Sequence, residues 1–298
     1  MEAPARSGRI TSPANPRLKA AARLRGRRER DKTGLTLIDG VRETLRALQG
    51  GAVLHEVFMV PELLVEPEAK ALLERLREES VPLLELGRDA FAKLAYGDRL
   101  DGLVAVAETP LRTLADLVLP VEPLIAVIEG VEKPGNLGAV LRTADGAGVN
   151  AVIVAESATD LFNPNIIRAS LGTVFAVPVC VASSGDVLTW LRERGIAIIA
   201  ARVDGSVDYT AADYRGAVAI ALGSEARGLS DAWGELGRAS VHVPMLGVAD
   251  SLERRTWRQL ELAVRLIEPI LLLALAAVVL VLVIALLLPV MRMGFALQ

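Results

Sequence analysis

Between residues 124 and 245 the chain repeatedly enters runs of five to eight residues that are apolar almost without interruption: LIAVIEG, AVIVA, FAVPVCVA, AIIAA, AVAIALG and SVHVPM. A strand with one face in water alternates apolar and polar residues. A run that is apolar in both registers belongs to a strand covered on both faces, the usual condition of a parallel sheet. Helical patterns separate the runs: GNLGAVLRTADGAG after the first, residues 163–170 after the second and 186–194 after the third. Strands alternating with helices predict a parallel α/β sheet with covered faces.

The first hundred residues read as a smaller alternating unit. SPANPRLKAAARLRGRRERDKTG carries Ser, Asn and Pro start signals, a basic helix and a glycine stop. The strand LTLI, the helix VRETLRALQ, the strand VLHEVFMV, a charged helix over 66–79, the strand PLLEL, a short helix near Asp89 and the strand GLVAVAE follow. TPLRTLADLVLPVEP has two prolines and no regular period, which predicts a linker. The expected organisation is a domain over 1–108, a linker over 109–122 and a second domain over 123–252.

Formal net charge is −3, so global charge names no polyanionic partner. Its distribution is more informative. Residues 1–32 hold ten lysines and arginines against Glu2, Glu29 and Asp31, a solvated helix face or a phosphate-contacting surface. The single cysteine, Cys180, excludes an internal disulfide and a cysteine metal cluster, and its apolar setting predicts a buried strand residue. His55 and His242 fall on expected strands far apart in sequence and receive no role. The N-terminus lacks the apolar core of a signal peptide, so export of the body is not expected.

Three loops follow three of the expected strands: EGVEKPGNLGAVLRTADGAG (129–148), LGSEARGLS (222–230) and VPMLGVADSL (243–252). Ligands of open parallel sheets bind beyond the carboxyl ends of strands, so three glycine-bearing loops there predict a small-molecule site. GAGVNA (146–151) matches a dinucleotide fingerprint in letters only. It precedes a strand, whereas phosphate binding needs glycines that leave a strand and open a helix. With no Walker lysine, metal-ligand spacing or Ser-His-acid set, dehydrogenase and nucleotidase readings fall away.

NLGAVLRTADGAG, LGSEARGLS and VPMLGVADSL resemble the three signature motifs of the SpoU/TrmH-type RNA 2′-O-methyltransferases of the SPOUT superfamily. LFNPNIIRASLGTVFAVPV is similar to a further segment of that family. TSPANPRLKAAARLRGRRERDKTGLTLIDGVRETLRAL resembles the ribosomal-protein-like RNA-binding domain of its ribosomal RNA branch. The similarity runs from about residue 9 to residue 252.

It implies an α/β RNA-binding domain followed by an α/β-knot domain, whose trefoil knot holds S-adenosylmethionine through the knot loops. Gly223, Val243 and Leu252 match cofactor-binding positions. Asn136 and Arg142 match motif-one residues used at the ribose, and Glu225 and Ser251 match polar positions of motifs two and three. Structured RNA, ribosomal rather than transfer RNA, is the implied substrate, with Arg17, Lys19, Arg23, Arg25, Arg27 and Arg28 as its phosphate contacts. Arginine stays charged and is a poor base, so Arg142 is expected to clamp a phosphate and stabilise the developing alkoxide. Glu225 either orients Arg142 or caps the helix beginning near Leu229. No metal site is expected.

The resemblance stops after Leu252. Glu253 stands where the family has asparagine, and Arg254, Arg255 and Arg258 replace small or apolar positions. Arginines in a packed interface are strongly unfavourable, so the usual knot helix and homodimer are not expected unchanged, and the knot is open to being incomplete. Residues 253–269 read instead as an amphipathic juxtamembrane helix. Residues 270–291 contain twenty-two residues without a charge, about 33 Å as a helix, enough to cross a bilayer core. Arginines 254, 255, 258 and 265 precede this run and only Arg292 follows, which predicts a cytoplasmic body anchored to the inner membrane. The tail resembles the last transmembrane segment of type II secretion and type IV pilus platform proteins. The alternative to an active enzyme is a membrane-tethered RNA-binding protein with an impaired cofactor site.

Overall fold

The computed structural model describes residues 9–95, 101–156, 159–224 and 227–244. Glu225, Ser251, Leu252, the juxtamembrane helix expected over 253–269 and the span expected over 270–291 lie outside the described residues. Among the described residues no helix is long and apolar enough to cross a membrane.

The N-terminal basic segment forms two helices where the sequence predicts one: α1 (Pro16–Arg23) and α2 (Arg27–Thr33). Asn15 caps α1 by accepting from the Arg17 N–H at 2.9 Å. The break at Leu24–Gly26 frees backbone carbonyls. The buried Arg30 guanidinium turns back from α2 to donate to the Leu24 and Arg25 carbonyls at 2.6 and 2.7 Å. A single straight helix would leave Arg30 without those acceptors and Leu24 outside the core.

Strands β1 (Leu35–Asp39), β2 (Leu54–Met59), β3 (Leu83–Glu85) and β4 (Leu103–Glu108) form a mixed sheet in the order β1-β4-β2-β3. Its helices are α3 (Val41–Gln49), α4 (Pro67–Glu78) and the short α5 (Arg88–Phe91). Side chains alternate across the sheet as the pleat requires. Phe58, Val104 and Val106 face a cluster with Leu18, Leu24 and Phe91, while Val57, Met59, Leu103 and Ala105 face the opposite side.

The second sheet has seven strands, all in parallel pairings. They are β5 (Leu124–Glu129), β6 (Ala151–Ala155), β7 (Val179–Ala182), β8 (Ala197–Ala201), β9 (Val207–Asp208), β10 (Val218–Leu222) and β11 (Ala239–His242), in the order β7-β6-β5-β10-β8-β11-β9. Helices α6 (Pro134–Gly146), α7 (Pro164–Ala169), α8 (Thr173–Ala176), α9 (Ser184–Glu193) and α10 (Asp231–Leu236) connect them. Ile125, Val127 and Ile153 point to one face while Ile128, Val152 and Val154 point to the other, and both faces are covered. That is the physical content of the uninterrupted apolar runs. Cys180 is buried in β7, and burial pushes its thiol up to about 11. Gly146 and Gly148 lie at the C-terminal end of α6, where Gly148 takes a left-handed φ of 68°.

The two sheets share one apolar cluster. Ile38, Ala47, Leu72 and Ala105 from the first unit pack in it with Leu137, Leu141, Phe162, Ile166, Ile167, Val174 and Phe175 from the second. Residues 160–176 form the joint. Thr36 Oγ1 donates to the Phe162 carbonyl at 2.6 Å, and Arg46 Nη1 donates to the Leu171 carbonyl at 2.7 Å. Arg30, 3% exposed, donates from Nε and Nη2 to Asp160 Oδ2 at 2.9 and 2.5 Å.

Asp160→Ala should therefore cost about 3–5 kcal/mol, because it strands a buried guanidinium rather than removing a pair. Urea unfolding measures it. A loss below about 1 kcal/mol would show that water reaches Arg30.

Candidate active site

The loops of interest leave the carboxyl ends of β5 and its neighbour β10, and of β11, which β8 separates from β10. β10 lies between β5 and β8, with Leu222 level with Ile128 on one side and Ala201 on the other. Directly after β10 the backbone doubles back on itself. A Cβ on Gly223 would sit 2.0 Å from the Gly228 carbonyl carbon and 2.2 Å from the Leu229 nitrogen, so no other residue fits there without moving the loop. Gly228 N–H donates to the Ser224 carbonyl at 2.9 Å, and the Arg227 N–H to Ser224 Oγ at 3.2 Å. Leu222 at the end of β10, Val203 after β8 and Val243 after β11 are exposed. Three solvent-facing apolar side chains at the ends of β10, β8 and β11 suit a flat apolar ring better than they suit water. A cavity of about 330 Å³ lined by Leu188, Arg192, Ile198 and Arg238 opens at the opposite, amino ends of β8 and β11.

Glu129, the last residue of β5, is buried and accepts four hydrogen bonds. Oε1 receives Ser184 Oγ at 2.6 Å, Ser230 Oγ at 2.9 Å and the Trp233 indole N–H at 2.8 Å, while Oε2 receives the Ser230 N–H at 2.7 Å. Burial acts to raise its pKa, but the donors from Ser184, Ser230 and Trp233 together hold it below the ordinary glutamate value. Glu129 thus brings a carboxylate to the start of α10 from 101 residues upstream. Arg202, directly after β8, donates to the Ser230 carbonyl at 3.2 Å and pairs with Asp204 and Asp231. The sequence reading assigned neither residue a role. A lone carboxylate ending an apolar strand is the available signal for Glu129; Arg202 has none, because Ser230 and Asp231 lie 28 and 29 residues away.

Asn136 and Arg142 share α6 but not a face, since six residues turn a helix by about 240° beyond one full turn. Asn136 lies in the first turn, just past the loop leaving β5. Arg142 is exposed, and its Nη1 donates to the Ala169 carbonyl at the end of α7 at 2.7 Å. Arg168 lies one residue before Ala169, with Nη1 3.8 Å from Asp39 Oδ2. Gly223 and Val243 stand at the ends of β10 and β11, separated in the sheet by β8.

The basic helices divide in two. Arg17 pairs with Glu56, Arg25 donates to the Ala95 carbonyl, and Arg27 lies 3.5 Å from Asp31. Lys19, Arg23 and Arg28 are exposed and make no ion pair among the described residues.

Known proteins match this arrangement along its length. Residues 123–253 match the SpoU rRNA Methylase family and residues 15–105 the MRM3-like substrate binding domain. The 23S rRNA (uridine(2479)-2′-O)-methyltransferase of Streptomyces viridochromogenes is 32% identical over 256 residues, covering 82% of this chain and 86% of that protein. A solved RNA 2′-O ribose methyltransferase superposes with a TM-score of 0.73 at 42% identity, covering 82% of this chain and 92% of its own. The AdoMet-bound rRNA methyltransferase of Sinorhizobium meliloti superposes at 0.72 with 28% identity, covering 81% and 90%. With a relative 32% identical over 86% of that protein's length and the family model matching residues 123–253, the chain belongs to the SpoU rRNA methylase family.

Proposed function

We propose that this chain transfers a methyl group from S-adenosylmethionine to a ribose 2′-hydroxyl of structured RNA, ribosomal rather than transfer RNA. The observation that carries the reading is the shared apolar core. It joins the first sheet, whose other face carries the basic helices, to helix α6, which bears Asn136 and Arg142, so RNA docked on one is held at a fixed distance from the other. The relatives that cover most of this chain methylate 23S rRNA or are RNA 2′-O methyltransferases by name.

The strand ends fit the cofactor. Leu222, Val203 and Val243 offer exposed apolar faces, and the Gly223 crossing removes side-chain bulk beside them. Leu252 is assigned to the same site by motif. S-adenosylmethionine, when bound, supplies a methyl group on a sulfonium for in-line displacement. Catalysis by the protein is then mostly alignment. Arg142 holds a phosphate beside the target ribose and stabilises charge developing on the hydroxyl oxygen, and its bond to Ala169 fixes the guanidinium in advance. Asn136 orients the ribose, with Glu225 and Ser251 as the polar groups of the second and third motifs.

On sequence grounds alone, the proposal extends to the tail. Residues 253–269 would lie along the membrane, 270–291 would anchor the body to the cytoplasmic side of the inner membrane, and the altered third motif would disturb the family's knot helix and homodimer. Calorimetry of the full chain with S-adenosylmethionine separates the enzyme from the membrane-tethered RNA-binding alternative: binding supports the first, and no binding with RNA affinity intact supports the second.

Arg142→Ala should lower kcat by about 10²–10³ with little change in cofactor affinity, because the interaction forms in the transition state. Arg142→Lys keeps the charge but not the fork, and a fully active lysine variant would remove the clamp from the mechanism. Replacing Lys19, Arg23 and Arg28 together by Ala should weaken RNA binding across all sequences and reduce the salt slope by about 0.9 per lost phosphate contact. An unchanged slope would show a merely solvated face.

A further inference from the structure

We propose that Glu129 and Arg202 are positioning residues for the loop that follows β10, gripping it at Ser230 from the two strands that flank β10. The inference rests on the reading that this loop receives S-adenosylmethionine. β5 and β8 are the hydrogen-bonded neighbours of β10 on its two sides. Glu129 ends the first, and Arg202 follows the second.

Every polar group of Ser230 is held by this pair. Its N–H donates to Glu129 Oε2 at 2.7 Å, its hydroxyl to Glu129 Oε1 at 2.9 Å, and its carbonyl accepts from Arg202 Nη1 at 3.2 Å. Arg202 is itself fixed by Asp204, at 2.9 and 3.1 Å, and by Asp231 at 3.0 Å. Its own N–H donates to the Val241 carbonyl at 2.9 Å, which ties the grip to β11, the strand leading to Val243. At the other end of the loop Ser224 lies beside Gly130, the residue after β5, and Gly223 packs on the Gly228 backbone. The loop is thus held from both flanking strands at its Ser230 end and closed on itself at Ser224.

A buried carboxylate is a poor choice for cohesion alone, since an apolar side chain at the end of β5 would avoid its desolvation. Glu129 instead gathers donors from the starts of α9 and α10 and from the loop. Four fixed donors on one carboxylate specify a backbone position, and that is what a site built from loop backbone requires.

The test uses the full chain with three variants: Glu129→Gln, Arg202→Lys and Ser230→Ala. Glu129→Gln keeps the shape but turns an NH₂ toward groups that donate. It should weaken S-adenosylmethionine about tenfold by calorimetry. RNA affinity should stay unchanged, and hydrogen exchange should quicken at the amides of Leu229–Trp233. Arg202→Lys should move both readouts the same way by less. The double variant should fall short of the sum, because both residues act through one serine. Ser230→Ala removes only the hydroxyl bond and should cost about threefold, so it decides the matter if Glu129→Gln does not fold. Folded variants that bind the cofactor as tightly as wild type, with exchange unchanged, would overturn the proposal. Wild-type protein that binds no S-adenosylmethionine would overturn the cofactor reading instead, and exchange would still decide whether Ser230 is gripped.

Discussion

Helix α6 lies against α7 closely enough that one glycine governs the contact. A Cβ on Gly138 would meet the Ala169 Cβ at 2.5 Å and its carbonyl carbon at 2.6 Å. Much else follows from that approach. It brings the Ala169 carbonyl within reach of Arg142, whose guanidinium is held there by the protein itself. It sets α7 and α8 against β1 and α3, where Thr36 and Arg46 of the first unit bond to the Phe162 and Leu171 carbonyls. Interiors packed at this density transmit position rather than absorb it. The helix carrying the proposed ribose-contacting residues and the unit carrying the basic surface are parts of one packed body.

Apolar periodicity made most of this fold legible. The runs from LIAVIEG to SVHVPM became β5, β6, β7, β8, β10 and β11, and VRETLRALQ became α3 with the expected bounds. The departures have local causes. Phe175 and Ala176 belong to α8 and not to β7: Gly172, with φ 83°, restarts a helical turn, Thr173 Oγ1 bonds back to the Ser170 carbonyl, and the strand resumes only past Pro178. β9, two residues long, is below what periodicity can register. The basic helix broke because Arg30 bonds carbonyls within its own segment and a carboxylate 130 residues away. Composition marks an arginine as basic and surface-seeking; only tertiary structure shows which one turns inward.

The same limit applies to the site. Motif letters pointed to Gly223, and the close backbone crossing there gives a steric reason for glycine. They also pointed to Arg142, whose anchor on Ala169 lies in a different element. Of the six basic residues expected at RNA, Arg17, Arg25 and Arg27 have partners within the protein, and Lys19, Arg23 and Arg28 present charge outward. Exposed lysines and arginines contribute to polyanion binding through released counterions whichever element carries them. The outward set is therefore the better measure of the surface than the sum of ten.

Glu129 shows why a site of this kind depends on residues its motifs omit. Burial alone would favour a neutral carboxyl there, and the donors from Ser184, Ser230 and Trp233 reverse that preference. Those donors come from three segments that converge on this carboxylate, the starts of α9 and α10 and the end of the loop after β10. Charge on Glu129 and order in the loop are thus coupled: the loop in place supplies the hydrogen bonds that keep the carboxylate ionised, and the ionised carboxylate keeps the loop in place. Arg202 adds the opposite charge on the far side of Ser230, so each backbone polar group of that residue meets a complementary charge. At Ser230 the ordering cost is met by folding, which leaves less of it to be met by binding on the proposed cofactor reading.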